Sequence, residues 1–106
     1  MPRERIGSLS DVPPGNVSVM RCAGGRAFAV SNVDGELSAI DDVCTHDGGP
    51  LGEGRLRNGL VVCPRHGATF DARTGKVRSL PAVHDVRAYP VTVENGTLYV
   101  DCEHAS

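Results

Sequence analysis

The sequence predicts an all-β protein built from antiparallel sheets. Strand-like runs of roughly five to eight residues are separated by turn residues at regular intervals. Two Asn-Gly pairs and one Asp-Gly pair, at 58–59, 95–96 and 34–35, are strong signals for tight hairpins. No long window shows the period of a helix. These observations favour a sandwich or a partly open barrel.

The first part of the chain predicts four strands, at 6–9, 16–22, 26–32 and 37–41. The first is a short edge strand. In the second, Val17 and Val19 face one way while Met20 and Cys22 face the other. The last three should form a meander, because their connections are too short for a crossover helix.

The second part predicts a small β unit inserted into this basal domain. A glycine-rich loop at 42–54 leads to a hairpin at 55–62, a second loop at 64–68 and short strands after it. We therefore expect a single domain, residues 1–106, with an inserted subdomain at about 43–78. A long strand at 86–94, with Pro90 at an edge or a bulge, and a last strand at 97–103 complete the prediction.

Composition excludes several functional classes. A net charge of −2 predicts no basic face, and so no nucleic-acid partner. No apolar run is long enough to span a membrane. The first seven residues contain neither an apolar signal segment nor paired arginines. We expect a cytoplasmic protein.

Two short motifs carry the chemistry. Cys44-x-His46 and Cys63-x-x-His66 each combine one thiol with one imidazole. Two cysteines and two histidines, divided evenly over two loops, are the ligand set of a Rieske-type [2Fe–2S] cluster. We predict that Cys44 and Cys63 bind the inner iron and that His46 and His66 bind the outer one. Gly48, Gly49 and Gly67 should let backbone N–H groups point at the sulfides.

Other uses of these residues are open at this point. Two Cys and two His could form a structural zinc site, although common zinc modules do not mix the two residue types within each pair. A Cys–His nucleophile would leave two of the four residues unused. Cys22 and Cys102 are expected to be small buried thiols, and a bridge between them remains possible.

The motifs resemble those of Rieske-type [2Fe–2S] ferredoxins. Besides the two ligand pairs, the resemblance includes Cys-Pro-x-His-Gly at 63–67, Phe-Asp-x-x-Thr-Gly at 70–75, Leu-Pro-Ala at 80–82 and Tyr-Pro-Val at 89–91. It extends over about residues 3–102. It implies a three-sheet Rieske fold with one cluster at the tip of the smaller subdomain, the two histidines near solvent and Pro81 in a loop that covers the cluster.

Four positions depart from the high-potential members of that superfamily. Those proteins carry a disulfide between the ligand loops, and hydroxyl groups that bond to cluster and ligand sulfurs. The matching positions here are Gly49, Arg65, Ala68 and Phe70. Hydrogen bonds to sulfur raise the potential, so their absence predicts a midpoint near the low end of the Rieske range, about −150 mV.

The resemblance implies the ferredoxin component of a ring-hydroxylating dioxygenase system, an electron carrier rather than an enzyme. It would take single electrons from a flavoprotein reductase, pass them to a terminal oxygenase, bind no aromatic substrate and act as a monomer. The alternative is the small Rieske subunit of an assimilatory nitrite reductase. Charged residues near the ligands could surround a docking face, although each one alone is explained as an ordinary solvated charge. They are Asp42, Asp47, Glu53, Arg55, Arg57 and Arg65. His84 and His104 are expected to be surface residues.

Overall fold

The structure, a computed structural model, describes residues 3–46 and 48–101. Eleven strands and two short 3-10 turns are formed in this part of the chain, and no α-helix. The strands are β1 (Arg3–Ser8), β2 (Val17–Arg21), β3 (Ala27–Val33), β4 (Glu36–Asp41), β5 (Arg55–Arg57), β6 (Leu60–Val62), β7 (Thr69–Asp71), β8 (Val77–Ser79), β9 (Ala88–Tyr89), β10 (Val91–Glu94) and β11 (Thr97–Asp101). The turns span Leu9–Asp11 and Leu51–Glu53. The predicted all-β class is confirmed.

The strands form three antiparallel sheets. The first has the order β1-β11-β10, the second β2-β3-β4-β9 and the third β5-β6-β7-β8. The predicted meander is β2-β3-β4, and the three predicted hairpin turns place Asp34, Asn58 and Asn95 at positive φ. The predicted first strand is an edge strand, as expected, but it belongs to a different sheet from the meander.

The long strand predicted at 86–94 is wrong. The chain forms two shorter strands there, and they belong to different sheets: β9 pairs with β4, whereas β10 pairs with β11. Pro90 lies between them and has no N–H to give to a ladder, so the chain changes sheets at this residue. The predicted last strand ends at Asp101 within the described residues; Cys102 and Glu103 lie outside them.

Two apolar cores lie on opposite faces of the second sheet. In β3, Phe28 and Val30 face the core shared with the first sheet, whereas Ala29 faces the core shared with the third. The third sheet contributes one row of paired side chains to that core, namely Leu56, Val61, Phe70 and Val77. Cys44 and Cys63 belong to the same core. The predicted metal centre is therefore built on the packing between the second and third sheets.

Candidate metal centre

The two loops with the predicted ligands share one backbone arrangement. In the first loop (residues 42–54), Gly48 N–H donates to the carbonyl of Cys44 at 2.7 Å, and Cys44 N–H donates to the carbonyl of Gly49 at 2.8 Å. In the second loop (residues 63–68), Gly67 N–H donates to the carbonyl of Cys63 at 3.1 Å, and Cys63 N–H donates to the carbonyl of Ala68 at 2.8 Å. The chain thus makes the same turn twice.

The turn requires its glycines. Gly48 and Gly67 both have φ of +78°, a region that is strained for residues with a Cβ. Their own N–H groups close the turns onto the cysteine carbonyls. That other backbone N–H groups of the loops point at sulfides stays a prediction. A turn of this kind directs the amide of its fifth residue back to the first carbonyl, which uses up that donor.

Burial separates the predicted ligands into two kinds. Cys44 and Cys63 are 1% and 2% exposed, whereas His46 and His66 are exposed. The two imidazole rings lie 5.1 Å apart between centroids and are nearly perpendicular. The structure thus brings the two histidines together at the surface and holds both thiols in the core beneath the loops.

This arrangement fits a binuclear cluster. Within residues 3–46 and 48–101, no three Cys, His, Asp or Glu side chains lie close enough to bind a single metal ion. Each iron of a [2Fe–2S] cluster needs only two protein ligands, so thiols inside and imidazoles outside can serve different irons. The chemistry of the donor set agrees, because thiolate and imidazole are both ligands of iron in such clusters.

Side chains fix the first loop from two directions. Gly52 N–H donates to Oδ1 of Asp42 at 2.6 Å, which closes the loop across its base. Burial raises the pKa of Asp42, and the bond from Gly52 opposes that rise. Thr45 Oγ1 donates to the carbonyl of His84 at 2.6 Å. Asp42, predicted as a docking charge, therefore has a structural role.

A segment that we call the strap, residues 79–86, crosses beside both loops. At one end Ser79 Oγ lies 2.7 Å from Thr69 Oγ1, directly after the second loop, and at the other end His84 accepts the bond from Thr45. Between them Ala82 is buried in the core that holds both cysteines. Leu80 and Val83 are instead 75% and 65% exposed. The strap joins the two loops and presents two bulky apolar side chains outward.

A polar cluster supports the strand that enters the first loop. The hydroxyl of Tyr89 donates to Oδ1 of Asp41, the last residue of β4, at 2.8 Å. Arg26 donates to the same carboxylate and to the Tyr89 oxygen, and its guanidinium lies over the Tyr89 ring. Burial and the neighbouring carboxylate raise the pKa of Tyr89 to about 12. The neutral phenol therefore remains a donor to Asp41 throughout the physiological range.

The charges are segregated, so the prediction of no basic face is wrong. Residues 55–79, the third sheet with its loops, contain six cationic side chains and one carboxylate, a net charge of +5. The rest of the chain contains five cationic and twelve anionic side chains, a net charge of −7. The overall charge of −2 hides this division.

The remaining predicted residues fall into three groups. Glu53, Arg55, Arg57 and Arg65 are exposed, as a docking role requires. His84 is exposed, and Cys22 is buried with a free thiol. Asp47, Cys102 and His104 lie outside the described residues.

Sequence reasoning missed the contact between Thr45 and the strap, although the resemblance implies a loop at Pro81. A threonine between two ligands gives a visible signal, since its hydroxyl is a donor within the loop. Its acceptor is a backbone carbonyl 39 residues away, and no local pattern identifies such a partner.

The chain is similar to known proteins over most of its length. The p-cumate 2,3-dioxygenase system ferredoxin component of Pseudomonas putida is 40% identical over 95 residues, 89% of this chain and 80% of that protein. The 3-phenylpropionate/cinnamic acid dioxygenase ferredoxin subunit of Escherichia coli (strain K12) is 39% identical over 98 residues, 92% of this chain and 91% of that one. Among solved structures, a chain in the complex of reduced oxygenase and oxidized ferredoxin in carbazole 1,9a-dioxygenase has a TM-score of 0.85 and 31% identity, covering 94% of this chain and 93% of its own.

The family comparison agrees with the fold and the donor set. The family model of the Rieske [2Fe-2S] domain matches residues 4–90, which include both ligand loops and the strap. No helix in the described residues is long and apolar enough to cross a membrane. The chain belongs to the Rieske [2Fe-2S] domain family.

Proposed function

We propose that this protein is a low-potential Rieske ferredoxin, which carries single electrons from a flavoprotein reductase to a terminal aromatic-ring-hydroxylating oxygenase. The contrast between two buried cysteines and two exposed, adjacent histidines is the observation that carries the proposal. Electrons cross short distances best, so a redox group that reaches the surface through its histidines can exchange electrons with a docked protein.

The four ligand assignments are part of the proposal. Cys44 and Cys63 would bind the inner iron, and His46 and His66 the outer one. The bound cluster supplies a reversible one-electron couple. The protein positions the ligands with the paired turns, excludes water around the thiolates by burial and leaves the imidazoles open to a partner. No substrate pocket for an aromatic ring is required of such a carrier.

The low potential rests on the core beside the cluster site. Ala68 and Phe70 are both 0% exposed, and neither has a hydroxyl to donate to sulfur. We expect a midpoint near about −150 mV. Phe70→Tyr and Ala68→Ser add hydroxyls at these positions and should raise it. A clearly positive midpoint in the unaltered protein, measured by redox titration, would contradict the proposal.

A reconstitution experiment tests the function. The iron-loaded protein is reduced by one electron under anaerobic conditions, checked by its EPR spectrum and mixed with an oxidised terminal oxygenase of the 3-phenylpropionate type. We expect the ferredoxin signal to disappear as the oxygenase is reduced. A protein that holds one zinc and shows no visible absorption would refute the carrier role, and so would a reduced protein that fails with every oxygenase offered but restores nitrite reduction.

The ferredoxin is preferred to the nitrite reductase subunit because all four ligand residues are present and the relatives are dioxygenase ferredoxins. We further propose that the protein acts in the cytoplasm as a monomer, and that residues 43–78 form the cluster-binding subdomain. The continuous hydrogen bonding of β5 to β8 supports that division. Size-exclusion chromatography with light scattering tests the monomer.

A further inference from the structure

The outer face of the third sheet carries much of the positive charge of residues 55–79. Its inner row, from Leu56 to Val77, packs into the core, so residues that alternate with this row face outward. Arg55 and Arg57 flank Leu56 on β5, and Arg78 lies on β8 at the irregularity between Val77 and Ser79, where alternation does not assign its side. All three are exposed. Cationic side chains thus lie on the outer face at β5, and a further exposed cation lies on β8, the opposite edge strand.

Within residues 3–46 and 48–101, these cations are not neutralised by close ion pairs. Among the described residues, Arg55, Arg57, Lys76 and Arg78 form no ion pair, and Arg73 reaches Glu36 only at 3.9 Å. The one carboxylate of residues 55–79, on Asp71, accepts hydrogen bonds from the N–H groups of Arg73 and Thr74. It is used to close a turn. Outside these residues, Asp85 accepts the N–H of Val77 on β8 at 2.9 Å. The cations still outnumber these carboxylates, so the positive field of the sheet extends into solvent.

The cationic face continues to the ligand loops. Arg55 lines a cleft of about 390 Å³ together with Cys63, Pro64 and Gly67 of the second loop, and the exposed Glu53 lies on the same cleft. At the same end of the molecule the strap exposes Leu80 and Val83, and Val43 of the first loop is 42% exposed. Clustered exposed apolar side chains beside a charged surface are typical of protein interfaces.

We propose that the cationic outer face of the third sheet, together with the apolar side chains of the strap, docks a carboxylate-rich face of the terminal oxygenase. This inference rests on the proposed function, which supplies the occupant. The arginines would steer an acidic partner to the end of the molecule where His46 and His66 are exposed. Leu80 and Val83 would then make the short-range contact, which desolvates the route between the two redox centres.

A duplex nucleic acid fits the surface less well. The rest of the chain has a net charge of −7, which would repel an extended polyanion, whereas a folded acidic face contacts only the sheet. The two outer rows of β5, β6 and β7 also offer no aromatic side chain on which a base could stack. These rows are Arg55, Val62 and Thr69, and Arg57, Leu60 and Asp71.

The sign of the field can be measured with two inorganic oxidants. The reduced holo protein gives one electron either to hexacyanoferrate(III), which becomes hexacyanoferrate(II), or to hexaamminecobalt(III), which becomes the cobalt(II) complex. We expect the rate with the anion to fall roughly threefold as ionic strength rises from about 20 to about 200 mM, and the rate with the cation to rise. The net charge of −2 alone predicts the opposite signs, and that result would overturn the inference.

Matched variants locate the effect. Arg55→Gln with Arg57→Gln removes two charges from β5, an edge strand of the third sheet. Arg3→Gln with Arg5→Gln removes two charges from β1, an edge strand of the first sheet. The β5 pair should lower the low-salt rate with the anion roughly threefold, and the β1 pair should leave it unchanged. Equal effects from both pairs would overturn the inference. Midpoints are measured for all variants, so that a change in driving force is recognised.

The partner is tested with the oxygenase that the protein reduces in reconstitution. The β5 pair should weaken binding at least fivefold at low salt, and Leu80→Ser should weaken it at all salt concentrations. The inference would be overturned if the β5 pair weakened binding to the reductase but not to the oxygenase. It would also be overturned if the protein bound a short DNA duplex tightly and the β5 pair abolished that binding. These failures leave the EPR signal and the reduction of the oxygenase in reconstitution intact, whereas failure of the proposed function removes one or both of them.

Discussion

The two ligand loops make the same turn but are held in different ways. Each begins with a buried cysteine whose carbonyl accepts an N–H from a glycine four residues later. In the first loop the next residue is Thr45, and its hydroxyl bonds to the strap. In the second loop the next residue is Pro64, which has no N–H and a fixed φ. One loop is fixed by a long-range side-chain bond, and the other by a stiff backbone between two strands.

Their surroundings explain the difference. The second loop joins β6 directly to β7, so paired strands hold both of its ends. The first loop enters from β4 of the second sheet and leaves into β5 of the third, so its two ends belong to different sheets. It therefore needs Asp42 across its base and Thr45 at its tip. A loop that connects two sheets has to be fixed by side chains where a hairpin loop is fixed by its ladder.

The largest expected effect is the same for both loops. Cys44→Ser and Cys63→Ser should each abolish the cluster, because each removes one of two thiolates on one iron. Iron content and visible absorbance measure the loss, and Cys22→Ala, at a buried thiol outside both loops, should retain both. If one loop variant kept its full iron content, the two loops would not contribute equally to the ligand set.

The next effect distinguishes the exits of the two loops. A Cβ on Gly54, at the end of the first loop, would lie 1.9 Å from the carbonyl oxygen of Val62, whereas a Cβ on Gly67 would meet nothing within 4 Å. Gly54→Ala forces two backbones apart and should lower the free energy of unfolding by about 3 kcal/mol or more. Urea unfolding measures this. Gly24→Ala, whose Cβ would meet only the Cys22 sulfur at 3.9 Å, is the control. A small loss at Gly54 would mean that β5 and β6 separate easily.

A smaller, equal effect is expected where the loops are alike. Gly48→Ala and Gly67→Ala both place a Cβ at φ of +78° in open space. Each should cost about 1–2 kcal/mol of unfolding free energy from backbone strain alone. Asparagine tolerates this region better than alanine, so Gly48→Asn and Gly67→Asn should recover part of the loss. Unequal costs in the two loops would show that their turns are not equivalent in solution.

Local chemistry made much of the fold and of the metal centre predictable. Strand positions follow from alternation and from hairpin pairs such as Asn58-Gly59, whose φ values are both positive as such turns require. The four predicted ligands are recognisable because soft and borderline donors at short spacing have few other uses in this pattern.

Features that depend on distant partners were not predictable. Residues 86–94 look like one strand, and only the positions of β4 and β11 show that the chain divides between two sheets at Pro90. The charge segregation was hidden in the total, because opposite charges elsewhere cancel it. The bonds from the Gly48 and Gly67 N–H groups to the cysteine carbonyls were not predictable either, because they depend on how each loop turns.

The smallest effect tests the bond from the Thr45 side chain of the first loop to the strap. Thr45→Val keeps the size of the side chain but removes the donor to the His84 carbonyl. Since water can replace the lost partner at this half-exposed position, the cost should be about 1 kcal/mol or less. Thr45→Ser retains the hydroxyl and should behave like the unaltered protein.

The strap should respond more than global stability does: amide hydrogen exchange in residues 83–86 should accelerate in Thr45→Val, while exchange at 67–69 stays unchanged. Acceleration in both regions would mean that the loops are coupled through the strap as one unit, and that the separate fixation of the two loops is only apparent.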